Sequence, residues 1–219
     1  MATRAVLLEL ATDYEATARQ AVRLESAGGV DVAKRVRAGA LVDVVVLAAD
    51  VIDQLIAQGK LLAGSRVDLV QSGIAVAVPA GAPRPDISSE NALKDAVLAA
   101  KTLSYSTGPS GVYLIKLFER WGILDAIKPR IVQAPPGVPV GSLVAKGDVE
   151  LGFQQLSELI NVQGIAVLGP LPPAIQLVTT FSAAISVVSH QVEAARSLIA
   201  FMAAPEAVAT KRRQGLESA

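Results

Sequence analysis

Thr107-Gly108-Pro109-Ser110-Gly111 stands between an extended run at residues 102–106 and a helical run at residues 112–121. A strand, a glycine turn and a helix opening on Ser110 and Gly111 leave unpaired N–H groups at the positive end of the helix dipole, which is a seat for an anion. Any strand-to-helix connection favours glycine and an N-cap serine, so one such loop carries little weight alone. The pattern recurs. Ser26-Ala27-Gly28-Gly29 precedes a helical run at residues 30–38, and Pro136-Gly137-Val138-Pro139 precedes another at residues 140–146. Glycine-bearing helix mouths at three places point to one convergent site for a small anionic ligand.

Other chemistries are poorly supplied. The chain has no cysteine, which removes disulfides, thiolate metal ligands and cysteine nucleophiles together. Its single histidine, His190, falls at the start of a helical run, where capping or exposure is the ordinary role. Glu158, in Gln155-Leu156-Ser157-Glu158, is the better acid/base candidate, although a solvated glutamate is the default reading. No serine–histidine–aspartate system, Walker loop or metal-ligand cluster is visible, and no cofactor is expected. The 20 basic and 20 acidic residues cancel, so nucleic acid and membrane surfaces have no electrostatic support as partners. Lys211-Arg212-Arg213 reads as favourable charge at the end of a last helix.

The elements that must position these mouths follow from pattern. A 52% hydrophobic share with 4% aromatics, in 219 residues, describes helices packed on buried strands and a core large enough for two modest domains. Residues 4–17 have helical periodicity, with Val6, Leu7, Leu10, Ala11 and Tyr14 on one face. Residues 21–25 predict a short strand, and residues 42–47 a strand buried on both faces, hence a parallel sheet. Helices are predicted at residues 50–58, 88–100 and 192–203. Residues 67–71 and 74–79 read as two extended segments, and residues 80–86 as a linker. A second α/β alternation follows, with strands at residues 103–105, 131–133 and 150–155. Extended runs at residues 166–168, 175–179 and 183–188 carry the chain back, and residues 206–214 form a last helix. No segment approaches the roughly 20 uninterrupted apolar residues of a membrane span, so no membrane insertion is expected.

Two α/β lobes joined by extended crossovers give a resemblance its context. Residues 39–50 and 64–78, together with residues 105–122 and their Ser-Gly-x-Tyr helix opening, resemble the molybdate-binding branch of the type II periplasmic solute-binding proteins. The resemblance implies mostly parallel sheets flanked by helices, a discontinuous first lobe of residues 1–78 plus 180–219, a second lobe of residues 79–179, and a ligand cleft between them. It further implies an oxyanion held by hydroxyls and backbone N–H groups without a cation. Carried over residue by residue, the ligand-binding set is Ser26, Gly28, Gly29, Ser110, Gly111, Tyr113, Val138 and Gln155. The resemblance also implies an ABC-transporter permease as partner and a periplasmic address. No secretory signal opens this chain, because Glu9 and Asp13 interrupt the apolar stretch after Arg4, so a cytoplasmic location stays open.

Two departures stand out. Where the family places a ligand-contacting tyrosine, Gly152-Phe153-Gln154-Gln155 puts Gln155, whose amide suits a carboxylate as well as a bare oxyanion. The family also opens with a strand, whereas residues 1–7 resemble the turn that follows it. The expectation is that Met1 is internal to a longer natural product and that the first strand of lobe one is missing. Unpaired backbone groups beside such a vacancy cost about 1–3 kcal/mol each, which would favour a homo-oligomer completed by a strand from a second copy. A few proteins of this fold family isomerise tricarboxylates such as aconitate, and that enzymatic alternative would need Glu158 or another base near the cleft.

Overall fold

The computed structural model describes residues 1–135 and 137–219. Pro136, and with it part of the third predicted mouth, lies outside the described residues. The chain divides into two compact units, Met1–Ser72 with Thr179–Ala219 and Gly73–Val178. In chain order the elements are α1 (Arg4–Ala18), α2 (Gly29–Arg37), β1 (Val44–Ala48), α3 (Ala49–Ala57), β2 (Val67–Pro79), α4 (Glu90–Ala99), β3 (Leu103–Tyr105), α5 (Pro109–Arg120) and α6 (Leu124–Ile127). They continue with α7 (Val140–Ala145), β4 (Leu151–Gln155), α8 (Leu156–Leu159), β5 (Ile165–Pro170), β6 (Val178–Ile185), α9 (Val192–Ala203), α10 (Val208–Arg213) and β7 (Glu217–Ser218).

In the first unit, α1 buries the face read from its periodicity, Val6, Leu7, Leu10, Ala11 and Tyr14. These side chains join Leu69, Val70, Ile185, Ile199 and Met202 in one core. A second core, from Ala33 and Val36 of α2 to Ile52 and Leu55 of α3, covers Val45 and Leu47 of β1. β1 pairs antiparallel with β6, from Val44 opposite Ile185 to Ala48 opposite Phe181. The first half of β2 pairs with β7, Val70 opposite Ser218.

In the second unit, β4 is the centre. It pairs antiparallel with the second half of β2, Ile74 opposite Gln155, and parallel with β3, Leu103 opposite Leu151. β5 adds to the other edge of β2 with a register shift at Val76/Ala77. Leu93 and Val97 of α4, Leu114, Leu117 and Phe118 of α5, and Phe153 form the core, all but excluded from solvent. Gly152 has no side chain because α7 lies against it, and a Cβ there would come within 2.5 Å of the Val144 Cγ2 atom. Ser89 caps α4 by accepting the Ala92 N–H at 3.1 Å.

Several expectations are corrected. Residues 21–25 form no strand: Val22 and Leu24 are half-buried between exposed neighbours, a strand-like alternation, but no strand among the described residues offers them a ladder. Sheets are mixed, not mostly parallel. Among the described pairings only β3 with β4 and the bridge Leu103–Ile131 are parallel, because β2 and β6 run against their neighbours. β1 is not buried on both faces, since Val44 and Val46 remain partly exposed. Residues 67–79 are one strand, and the expected strand at residues 131–133 shrinks to the Ile131 bridge. Residues 173–175 form a 3-10 turn, so the following strand starts only at Val178. The last helix begins at Val208 after another 3-10 turn, Pro205–Ala207.

Candidate functional site

The site in the second unit grows from the parallel β3–β4 pair. With Leu103 opposite Leu151 and Tyr105 opposite Phe153, the C-terminal ends of the two strands lie side by side. β3 runs on into Ser106 and the mouth of α5, and β4 into Gln154, Gln155 and α8. The end of a parallel pair is where open α/β sheets place ligands, since helices begin there and point their N–H groups outward. Ser110, Gly111 and Gln155 are thereby brought to one end of one sheet.

The α5 mouth is tightly built. Pro109 opens the helix with its φ already set and no N–H to leave unpaired. The Ser110 hydroxyl, on a residue 2% exposed, stands 3.4 Å from the Ser106 hydroxyl, which in turn accepts the Gly108 N–H at 3.3 Å. α2, α3, α4 and α9 carry Asp31, Asp50, Glu90 and Glu193 in their first turns, whereas α5, like α1, α7 and α10, carries no acid there. The positive end of the α5 dipole is thus left uncompensated by the helix itself.

Gln155 is 3% exposed and is the N-cap residue of α8. Its neighbour Gln154, equally buried, is a functional candidate that the sequence reading missed. The Gln154 Oε1 atom accepts the Val140 N–H at 2.9 Å, capping α7 from the adjacent strand. Burial pushes the Glu158 carboxyl above the usual carboxylate range, and the nearby Gln154 side chain draws it partly back. Beside it, Ser157 has a buried hydroxyl with no hydrogen-bond partner among the described residues. Strand periodicity hid Gln154, whereas its adjacency to Gln155 was the available signal.

Other predicted ligand contacts have protein partners. The Tyr113 hydroxyl donates to the Ile175 carbonyl at 2.7 Å, tying α5 to the turn before β6. The Val138 N–H donates to the Pro135 carbonyl at 3.0 Å, and the Val138 side chain is exposed. The third mouth thus spends two N–H groups, of Val138 and Val140, on its own protein.

In the first unit, Gly28 is the N-cap residue of α2 and Gly29 its first residue, next to Leu47 at the end of β1. Ser26 is exposed, its hydroxyl 3.6 Å from the Met1 sulfur. The same end of β1 leads directly into α3, with Ala48 as N-cap, so a second helix mouth opens there. No glycine or serine marks it, and the sequence reading passed over it. His190 is exposed ahead of α9 and joins none of these groups. No group of His, Cys, Asp and Glu suited to a metal occurs among the described residues. No described helix is long and apolar enough to cross a membrane.

The family model of bacterial extracellular solute-binding proteins matches residues 1–217. An aconitate isomerase of a Pseudomonas species is 42% identical over 178 residues, 80% of this chain and 67% of that protein. Among solved structures, the periplasmic molybdate-binding protein of Azotobacter vinelandii superposes with a TM-score of 0.80 at 24% identity, covering 98% of this chain and 94% of that one. The tungstate ABC transporter protein of Geobacter sulfurreducens gives a TM-score of 0.73 at 18% identity, covering 94% and 90%. These structural likenesses establish the two-lobe type II solute-binding fold.

Proposed function

Because the chain belongs to the bacterial extracellular solute-binding protein family, we propose that it binds a small carboxylate-bearing anion and passes it to an ABC-transporter permease outside the cytoplasmic membrane. The observation that carries this reading is the buried Gln155 amide at the end of β4, one strand away from the uncompensated α5 mouth. A fully ionised tetrahedral oxyanion needs donors only. An amide adds an acceptor, which a bare oxyanion cannot use and a partly protonated carboxylic acid can. Ser110 and the α5 N–H groups hold one carboxylate, and Gln155 reads the next polar group of the ligand.

A second reading is favoured by Glu158 and by the 42% identical aconitate isomerase. An allylic tricarboxylate isomerises when a base takes a proton from the methylene carbon, the electron pair spreads over the three-carbon system, and the protonated base, open to exchange with water, delivers a proton to the far carbon. The double bond moves and nothing else is consumed. Glu158 is the base and then the acid in this scheme, its raised pKa bringing it closer to the operating pH.

Calorimetry with citrate, cis-aconitate, trans-aconitate, molybdate, tungstate and sulfate tests the first reading. A tricarboxylate binding at least about tenfold tighter than any oxyanion, equivalent to about 1.4 kcal/mol, is expected. Molybdate or tungstate binding tightest overturns it. Proton NMR of trans-aconitate with catalytic amounts of protein tests the second reading: appearance of the cis isomer supports it, and an unchanged spectrum with saturated binding ends it.

A further inference from the structure

β5 ends at Pro170, and Leu171 still donates its N–H to the Ile74 carbonyl of β2 at 3.0 Å. Pro172 and Pro173 have no N–H with which to continue the ladder. The chain instead closes the 3-10 turn Pro173–Ile175, with the Ile175 N–H on the Pro172 carbonyl at 2.9 Å, and comes back to Ile74 as Gln176. There the Gln176 Oε1 atom accepts the Ile74 N–H at 3.0 Å, and the Nε2 atom donates to the Ile74 carbonyl at 2.9 Å. One side-chain amide does for Ile74 what a residue of a neighbouring strand would do. Room for it comes from Gly73, where a Cβ would stand 2.9 Å from the Gln176 Nε2 atom.

The other edge of β2 faces β4, with Ile74 opposite Gln155. The Ile74 N–H and carbonyl are spent on Gln176 and Leu171, so the Ile74–Gln155 pair is the kind without mutual ladder bonds, in which opposed Cα atoms approach to about 4.5 Å and side chains pack closest. Ile74 is fully buried and Gln155 nearly so. Where Ile74 sits therefore decides where Gln155 can sit. We propose that Gln176 is a positioning residue for Gln155: by fastening both polar groups of Ile74 it fixes the separation of the Gln155 amide from the α5 mouth, and with it the spacing of ligand carboxylates that the site accepts. This rests on the first reading above, in which the α5 mouth holds one carboxylate and Gln155 reads the next polar group. Ile74, Ile175 and Leu114 of α5 belong to one core, so the frame that Gln176 fastens is continuous with α5.

NMR on the ligand-free full chain tests the positioning whether or not any carboxylate binds. Gln176→Leu removes both bonds, so the Ile74 N–H should exchange with solvent about tenfold faster and the Gln155 side-chain amide resonances should move. Gly73→Ala displaces the same amide without changing its chemistry. It should shift the same resonances to a smaller extent, and it carries the test if Gln176→Leu does not fold. Unmoved Gln155 resonances in a folded variant whose Ile74 exchange has accelerated overturn the proposal, as does Ile74 exchange that stays unchanged. Calorimetry with acetate, succinate, glutarate and adipate supplies the binding arm. The unsubstituted protein should separate the best dicarboxylate from the other two by about tenfold, and Gln176→Leu should narrow that to about twofold while acetate, held by the α5 mouth alone, keeps its affinity. An equal fall for all four ligands would mark a merely structural role and overturn the proposal. If the unsubstituted protein binds no dicarboxylate more tightly than acetate, the first reading fails, and the Gln155 resonances still decide the role of Gln176.

Discussion

A Cβ atom on Gly111 would stand 1.7 Å from the Ser106 carbonyl oxygen and 3.1 Å from the Tyr105 ring. The start of α5 lies directly on the backbone that leads out of β3, and only a residue without a side chain permits the approach. Gly111→Ala should therefore push the helix mouth away from the strand. A loss of about 1–3 kcal/mol in denaturant unfolding, together with weaker anion binding, is expected. Unchanged stability and affinity would mean that the mouth relaxes freely.

Ser110→Ala removes the hydroxyl at the same mouth without disturbing its backbone. Anion affinity should fall by about 0.5–1.5 kcal/mol, up to roughly tenfold in Kd. Calorimetry against the best ligand of the panel decides it, and equal affinity would take Ser110 out of the site.

Tyr113→Phe separates packing from ligation. The hydroxyl donates to the Ile175 carbonyl at 2.7 Å, so its removal should cost about 0.5–1.5 kcal/mol of stability. Ligand affinity is expected to stay within twofold. A selective loss of affinity with unchanged melting would assign the hydroxyl to the ligand instead.

Glu158 gives a pH signature with a definite sign. Burial raises its folded-state pKa above the unfolded value of about 4.3. The folded state then holds the proton more tightly, so this contribution to stability is full below the unfolded pKa and is lost as pH rises through the folded one. Glu158→Gln stays neutral throughout. It should raise the Tm relative to the unsubstituted protein at pH 8 more than at pH 4, and an equal difference at both values would show that burial of the charge is not the cause.

Legibility in the sequence followed the range of the forces involved. The α5 mouth could be read because its cues are local: Gly108, Pro109 and Ser110 each act within one turn of helix. β3 was read in full for the same reason, Leu103 and Tyr105 alternating with small hydroxyl residues between Lys101 and a glycine turn. Pairing partners were not legible, since the alternation at residues 21–25 is the same whether or not a neighbouring strand exists. Residues 67–79 were split at Ser72-Gly73 because glycine normally punctuates a strand, yet here the chain stays extended and Gln176 fills the gap, accepting the Ile74 N–H at 3.0 Å and donating to its carbonyl at 2.9 Å. Gln154 was missed because its partners, Val140 and Glu158, are set by the placement of α7 and α8 in space.

The routing of β2 and β6 sets an order of events during synthesis. The second unit is one uninterrupted stretch, Gly73–Val178, whereas the first needs Thr179–Ala219 as well. β6, which pairs with β1, is translated after every strand of the second unit has left the peptidyl-transfer centre. Domains fold as units while the ribosome is still at work. The N-terminal part of the first unit must therefore wait, with β1 short of its β6 partner and the apolar face of α1 short of Ile199 and Met202, while the later-made neighbour reaches its native form. That interval is when a nascent-chain chaperone has most to hold. A ribosome stalled soon after the second unit emerges should display a protease-resistant second unit attached to a protease-sensitive N-terminal segment.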